Sequence, residues 1–329
     1  MSSPTGFPSH RRPVRRAATL AALLLGGLAL PAAAAAADST ATVPAVAPPK
    51  LGGYIQVREV GQDRVGLTSY LNRARFSVDG ALPSRFTYRL LTELEASAGA
   101  KSPATVSLRE ATVRWSPTPF AITAGEFKTP FTREYLVPVP ALELADLATV
   151  VDSLAPKYDE GVMGDYAWAS YATVSFGVFD GEGANATANR DSLLMLVGRV
   201  TARPVPQLGV GASVTRDGAD SLRWGLDGSV QQWGAVVRAE YITRHLRNRD
   251  VSRDDRGWYV FEAYRVTPRV QLVAREEDFE RPSRGVAARI RGDAFGTNVE
   301  IAPNRVRLLL EFSRHNTGKA QTRTDQFIG

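Results

Sequence analysis

The sequence predicts an all-β fold: a transmembrane antiparallel β-barrel of about 16 strands with a long, pore-constricting loop. Three observations carry the prediction. Short segments with apolar and polar side chains in strict alternation follow one another along most of the chain. The N-terminus looks like an export signal, yet no later run of 18 or more apolar residues offers a membrane helix. Cysteine is absent, so an exported protein of this length must be held by something other than disulfides, and a closed ladder of backbone hydrogen bonds would do so.

Residues 1–37 read as a signal peptide. Arg11, Arg12, Arg15 and Arg16 supply the positive start, Ala17 to Leu30 the apolar stretch, and Pro31 with Ala32 to Ala37 the small residues for cleavage before Asp38. A retained membrane anchor is the alternative. Residues 38–50 form an Ala- and Pro-rich leader, and residues 51–329 form the barrel domain. The whole chain has 40 Lys plus Arg against 34 Asp plus Glu. The first 37 residues hold four of the arginines and no acid, which leaves 36 against 34. The high pI therefore belongs mainly to the signal segment and gives no case for nucleic acid as a partner.

The strands assign their own faces. Phe86, Tyr88, Leu90 and Leu94 share one side, opposite Thr87, Arg89, Glu93 and Glu95. Val270, Leu272 and Ala274 stand opposite Arg269, Gln271, Arg275 and Glu277. Val286, Ala288 and Ile290 oppose Arg289 and Arg291, and Val306, Leu308, Leu310 and Phe312 oppose Arg305, Arg307 and Glu311. Arg beside Glu or Asp on one face, strand after strand, suits a water-filled lumen, with the apolar face toward lipid. Trp115, Trp168, Trp233, Trp258 and Tyr259 suit the membrane interfaces. A soluble secreted β protein with surface arginines is the alternative. About 15 segments are clear and Thr322 to Ile328 is weak; since bacterial barrels have even counts, 16 is the reading and 14 the fallback. The chain ends Gln326-Phe327-Ile328-Gly329 without a terminal aromatic residue, so the expectation is either a truncated closing strand or an unusual closure.

One segment breaks the rhythm. After Gly125-Glu126-Phe127-Lys128-Thr129-Pro130-Phe131 comes a loop of about 30 residues, to Asp159, far longer than compact folds carry without a function. This heptapeptide, Asp159-Glu160-Gly161-Val162 and Gly177-Val178-Phe179-Asp180-Gly181-Glu182-Gly183 together resemble the phosphate-selective porin O and P family in motif, order and spacing. The resemblance implies an outer-membrane porin in which the loop after Lys128 folds into the pore, its middle, Pro138 to Leu144, packing on the inner wall. It implies an anion site with Lys128 on the motif and Arg133 near it. Leu71-Asn72-Arg73-Ala74-Arg75-Phe76 resembles the family's Arg-rich second strand, with Asn72 where a basic residue is common. The expected anion-binding or pore-lining set is thus Lys128, Arg133, Arg73, Arg75, Arg89, Arg289, Arg291, Arg305 and Arg307. Arginine suits the task because its planar fork donates two hydrogen bonds at once and stays charged.

The expected partners are outer-membrane lipid, small anions such as phosphate or polyphosphate, and two further copies in a homotrimer. No cofactor is implied. The glutamates opposite the arginines keep a general, unselective porin open as a second reading. A barrel enzyme is the third, but beyond the signal segment only His245 and His315 remain, and neither sits in a nucleophile motif.

Overall fold

The computed structural model describes residues 47–62, 66–95, 105–247, 252–283, 286–317 and 322–328. The expected signal peptide and most of the 38–50 leader lie outside the described residues. Sixteen strands are described: β1 (Lys50–Gln62), β2 (Gly66–Leu82), β3 (Phe86–Glu95), β4 (Thr105–Trp115), β5 (Phe120–Lys128), β6 (Tyr158–Trp168), β7 (Ala172–Phe179), β8 (Met195–Val205), β9 (Leu208–Asp217), β10 (Ser221–Gln232), β11 (Ala235–Arg247), β12 (Ser252–Thr267), β13 (Val270–Ser283), β14 (Val286–Ala302), β15 (Val306–Thr317) and β16 (Thr322–Ile328). Each pairs antiparallel with its neighbours in sequence, and β1 meets β16 from Val60↔Ile328 to Gln62↔Gln326, closing the barrel.

The closing ladder is three pairs long, so residues 50–59 of β1 and 306–310 of β15 have no described strand partner on that side. Around the rest of the wall most strands pair on both sides, which is what lets them stand in lipid. The burial pattern is that of a soluble protein turned inside out. Leu51, Ile55, Phe76, Leu90, Leu226 and Phe295 are exposed on the outer wall, whereas Glu93, Arg199, Asp227, Glu240, Arg275, Glu277 and Glu311 are buried within. The parity read from the sequence holds for β3, β13 and β15: Phe86, Leu90, Leu94, Leu272, Leu308 and Leu310 face outward. Aromatic pairs gather outside near the short turns, Phe86 with Trp115 at 6.3 Å and Phe120 with Tyr166 at 5.0 Å. Tyr259 departs from its expected place at the membrane interface. It is 1% exposed inside the barrel, where its hydroxyl donates to Glu240.

One correction concerns β14, and one strand keeps its expected face through a bulge. Ile290 on β14 pairs with Phe279 and packs on the interior cluster, so Arg289 and Arg291 face outward and do not line the pore. The reason is height: toward its hairpin with β13, at the end away from the short turns, β14 has the buried loop on its inner side, and the charges take the polar outer side. On β2, a register shift opposite Gln56 and Val57 doubles Asn72 with Arg73, so parity changes between Leu71 and Arg73. Leu71 faces out, Arg73 and Arg75 face in, and the Asn72 amide donates to Gln56 at 3.0 Å.

Candidate functional site: the constricted lumen

The three motif segments meet where the wall gives up a strand to the loop. β5, β6 and β7 are neighbours, and Phe127 lies edge-on to Phe179 at 5.3 Å. Asp159 accepts the N–H groups of Glu160 and Gly181 at 2.8 and 3.0 Å. Gly125 sits at φ 121°, and a Cβ there would stand 1.9 Å from the Ala111 carbonyl oxygen, so no other residue fits. Past Lys128 the chain leaves the wall and β4 loses its partner. Asn185, from the loop after β7, covers the gap: its side chain bonds both the N–H and the C=O of Leu108 and donates to Glu126.

The loop then crosses the lumen. Phe131, Tyr135, Leu144, Val150, Val151 and Leu154 form one apolar cluster with Met195, Val197, Ile242, Phe261 and Phe279 of the opposite wall. Of the Pro138–Leu144 middle expected from the sequence to pack on the wall, only Leu144 joins this cluster; the rest of the packing falls to the flanking residues and the short helix α1 (Thr149–Leu154). Pro138, Pro140 and Ala141 are exposed and line the remaining opening. Wall carboxylates fix the loop's path. Glu240 accepts the backbone N–H of Arg133 and Glu134, Glu277 that of Thr149, and Glu311 that of Ala145. Glu134 is buried in this contact beside Glu240 and Glu277. Burial pushes its carboxyl up to about 7, against the pull of Arg275 and the Ala148 N–H.

The loop closes the β8–β13 side and leaves a cavity of about 1090 Å³ against β1 to β4, β14 and β15. Eight basic side chains line it, Arg58, Arg75, Arg89, Lys128, Arg265, Arg269, Arg305 and Arg307, against three glutamates, Glu110, Glu143 and Glu300. Three of the eight have carboxylate partners: Arg58 with Asp146 at 2.9 Å, Arg75 with Glu93 at 2.8 Å, and Arg89 with Asp79 and Glu110 at 2.6 and 2.7 Å. Lys128 instead donates to the carbonyls of Tyr135 and Val137 and lies over the Tyr135 ring at 4.8 Å. Arg307 donates to the Leu142 carbonyl at 2.5 Å. Among the described residues Arg269 and Arg305, at the short-turn mouth, have no ion-pair partner.

The expected residues divide accordingly. Lys128, Arg75, Arg89, Arg305 and Arg307 line the opening. Arg73 lies beside Arg75 on Glu93, which also takes Arg109 at 2.6 Å. Arg133 is turned away from the opening to Asp227 at 2.8 Å, a carboxylate it shares with Arg199. Arg289 and Arg291 are outside. Sequence reasoning missed Arg58 and Arg265 and put Arg269 on the lumen face without including it in the site, although Arg58 continues the alternation of Tyr54 and Gln56. It also missed a cluster at the far mouth, where Arg244, Arg253 and Arg281 converge on the fully buried Asp255.

A closed barrel with a lipid-compatible outer wall, a charged lumen and an inward-folded loop is an outer-membrane porin. Residues 55–216 match the model of the phosphate-selective porin O and P family. That segment, just under half of the chain, carries the family's sequence pattern. Among solved structures it is similar to the outer-membrane protein OmpT of Vibrio cholerae, at TM-score 0.61 and 14% identity over 86% of this chain and 97% of that one. It is likewise similar to the anion-selective porin from Comamonas acidovorans, at TM-score 0.61 and 12% identity over 85% and 97%. A porin mutant of Rh. blastica aligns at TM-score 0.57 and 12% identity over 85% and 98%. No curated protein matches the chain in sequence.

Proposed function

We propose that this porin lets small anions, phosphate and polyphosphate among them, diffuse passively across the outer membrane. The observation that carries the reading is the lining of the open channel: eight basic side chains against three glutamates. Among the described residues four lining arginines, Arg265, Arg269, Arg305 and Arg307, have no ion-pair partner and gather toward the short-turn mouth, and paired ones flank the loop. Such a lining draws anions in, while donors spread along the path hold each one weakly enough to release it. The family match and the likeness to a porin described as anion-selective agree with this.

The active form in this reading is a homotrimer, as in the trimer form of Vibrio cholerae OmpT, exported through the segment at residues 1–37. The channel needs no catalytic step. A general porin is the second reading, favoured by the ion pairs of Arg58, Arg75 and Arg89. Phosphate titration of single channels in a planar bilayer separates the two. Current falling at low phosphate and restored by washing supports an anion-binding channel. Current indifferent to phosphate leaves a general porin.

A further inference from the structure

The outer face of β12 to β15 changes from apolar to charged along its height. On β14 the residues facing out, from the extracellular hairpin downward, are Arg289, Arg291, Asp293 and Phe295, alternate positions and so one face. Phe295 is 59% exposed on the outer wall, and Leu308 and Leu310 are exposed beside it on β15. In ladder register Arg291 lies opposite Asp278, and Asp278 opposite Trp258. Tryptophan on an outer wall favours the bilayer interface. Arg289 and Arg291 therefore stand at the height of lipid headgroups, above the acyl chains.

Their arrangement is a clamp. Asp278 takes Arg289 Nη2 at 2.6 Å and Arg291 Nε at 3.3 Å, so one carboxylate gathers two guanidiniums and cancels one of their two charges. The side chains remain 49% and 66% exposed. Glu280, the cross-strand neighbour of Arg289, is taken up by Arg256 at 2.9 Å. Glu276 and Asp293 make the row beneath acidic, which keeps an anion from settling lower. None of these groups faces the lumen, so the transport reading makes no use of them.

We propose that Arg289 and Arg291, held together by Asp278, bind the phosphate group of an outer-leaflet lipid. Paired guanidiniums with a net positive charge match phosphate oxygens in geometry and sign. Free phosphate shares that chemistry. A lipid fits better because an apolar wall, Phe295 and diagonally Leu310, begins below the single acidic row under the clamp, and acyl chains can lie on it.

The test is retention of diphosphoryl lipid A by the full-length protein purified in detergent, read by native mass spectrometry, with phosphatidylcholine as the control lipid. The wild type should retain lipid A, and R289Q/R291Q should lose about tenfold in retention. R291Q alone, at an exposed position, should lose part of it while the heat-modifiable gel shift stays unchanged. Equal retention by wild type and variants, or equal retention of phosphatidylcholine, would overturn the proposal. Displacement of the lipid by inorganic phosphate alone would assign the clamp to a free anion and overturn the lipid assignment. A change of oligomer size with lipid retention unaltered would place this face against a second copy, and would also overturn it.

Discussion

The carboxylate of Glu240, on the barrel wall, receives the backbone N–H of Arg133, in the loop, at 2.9 Å, and its second oxygen receives that of Glu134 at 2.6 Å. The Tyr259 hydroxyl completes its shell at 2.7 Å. A glutamate that opposes arginines on an alternating strand is thus committed to the loop backbone. Glu240→Ala leaves three donors, two backbone N–H groups and the Tyr259 hydroxyl, without this acceptor, which costs about 1–3 kcal/mol for each that stays buried and unpaired. The expected outcome is a larger and noisier single-channel current with the barrel's heat-modifiable migration retained. An unchanged current would mean that apolar packing alone holds the loop.

Glu93 gathers Arg75 at 2.8 Å, Arg109 at 2.6 Å and Arg73 at 3.6 Å, and is 1% exposed. Glu93→Gln removes the one charge that these three arginines share. Breaking a buried pair of this kind costs about 3–5 kcal/mol, so the variant should unfold at lower denaturant than the wild type. Its channel should also prefer chloride over potassium more strongly, since the three guanidiniums stand beside the opening. Reversal potentials and denaturation midpoints check the two halves separately.

Glu134 gives the loop a pH dependence of definite sign. Burial raises its carboxyl to about 7, so the docked loop binds a proton that the free loop gives up near the ordinary carboxylate value. Its contribution is therefore full below the ordinary value, falls as pH rises, and is lost above about 7. Amide exchange in residues 129–157 should speed up between pH 5 and pH 8 beyond the chemical rate, roughly the window that the raised carboxyl spans. Glu134→Gln should remove that excess. The same excess in the variant would exclude Glu134 as its source.

The barrel was legible because lipid and lumen impose one rule at every level of the wall. Leu308 and Leu310 against Arg305 and Arg307 state it in four residues. The rule fails where the surroundings change. Ile290 and Arg291 alternate as well as any pair, but they stand above the acyl-chain zone beside the packed loop, and the alternation inverts. The loop was legible as a loop and as a constriction, because Lys128 leaves the strand there. Its contacts were not. Arg133 is close to Lys128 in sequence but points to Asp227, 94 positions away, and no local pattern encodes that distance. The partners of Glu240, Glu277 and Glu311 were hidden for the same reason: backbone N–H groups leave no trace in composition.

Lys128 spends two of its three donors on the carbonyls of Tyr135 and Val137. It acts first as a fastener of the loop and presents its remaining charge to the channel. Lys128→Met keeps the stem and removes both roles, and should raise conductance while lowering anion preference. Lys128→Arg should restore the preference. Restoration of neither would show that the fastening geometry, not the charge, matters.

In the proposed function, the basic lining makes the channel select anions. The most direct test is the reversal potential of single channels in a KCl gradient, for the wild type and for Arg305→Glu/Arg307→Glu. The wild type should reverse on the chloride side, and the charge-reversed variant should move toward the potassium side with its conductance largely kept. A wild-type reversal potential near zero, unmoved in the variant, would contradict the account and leave the arginines as paired charges of an unselective wall.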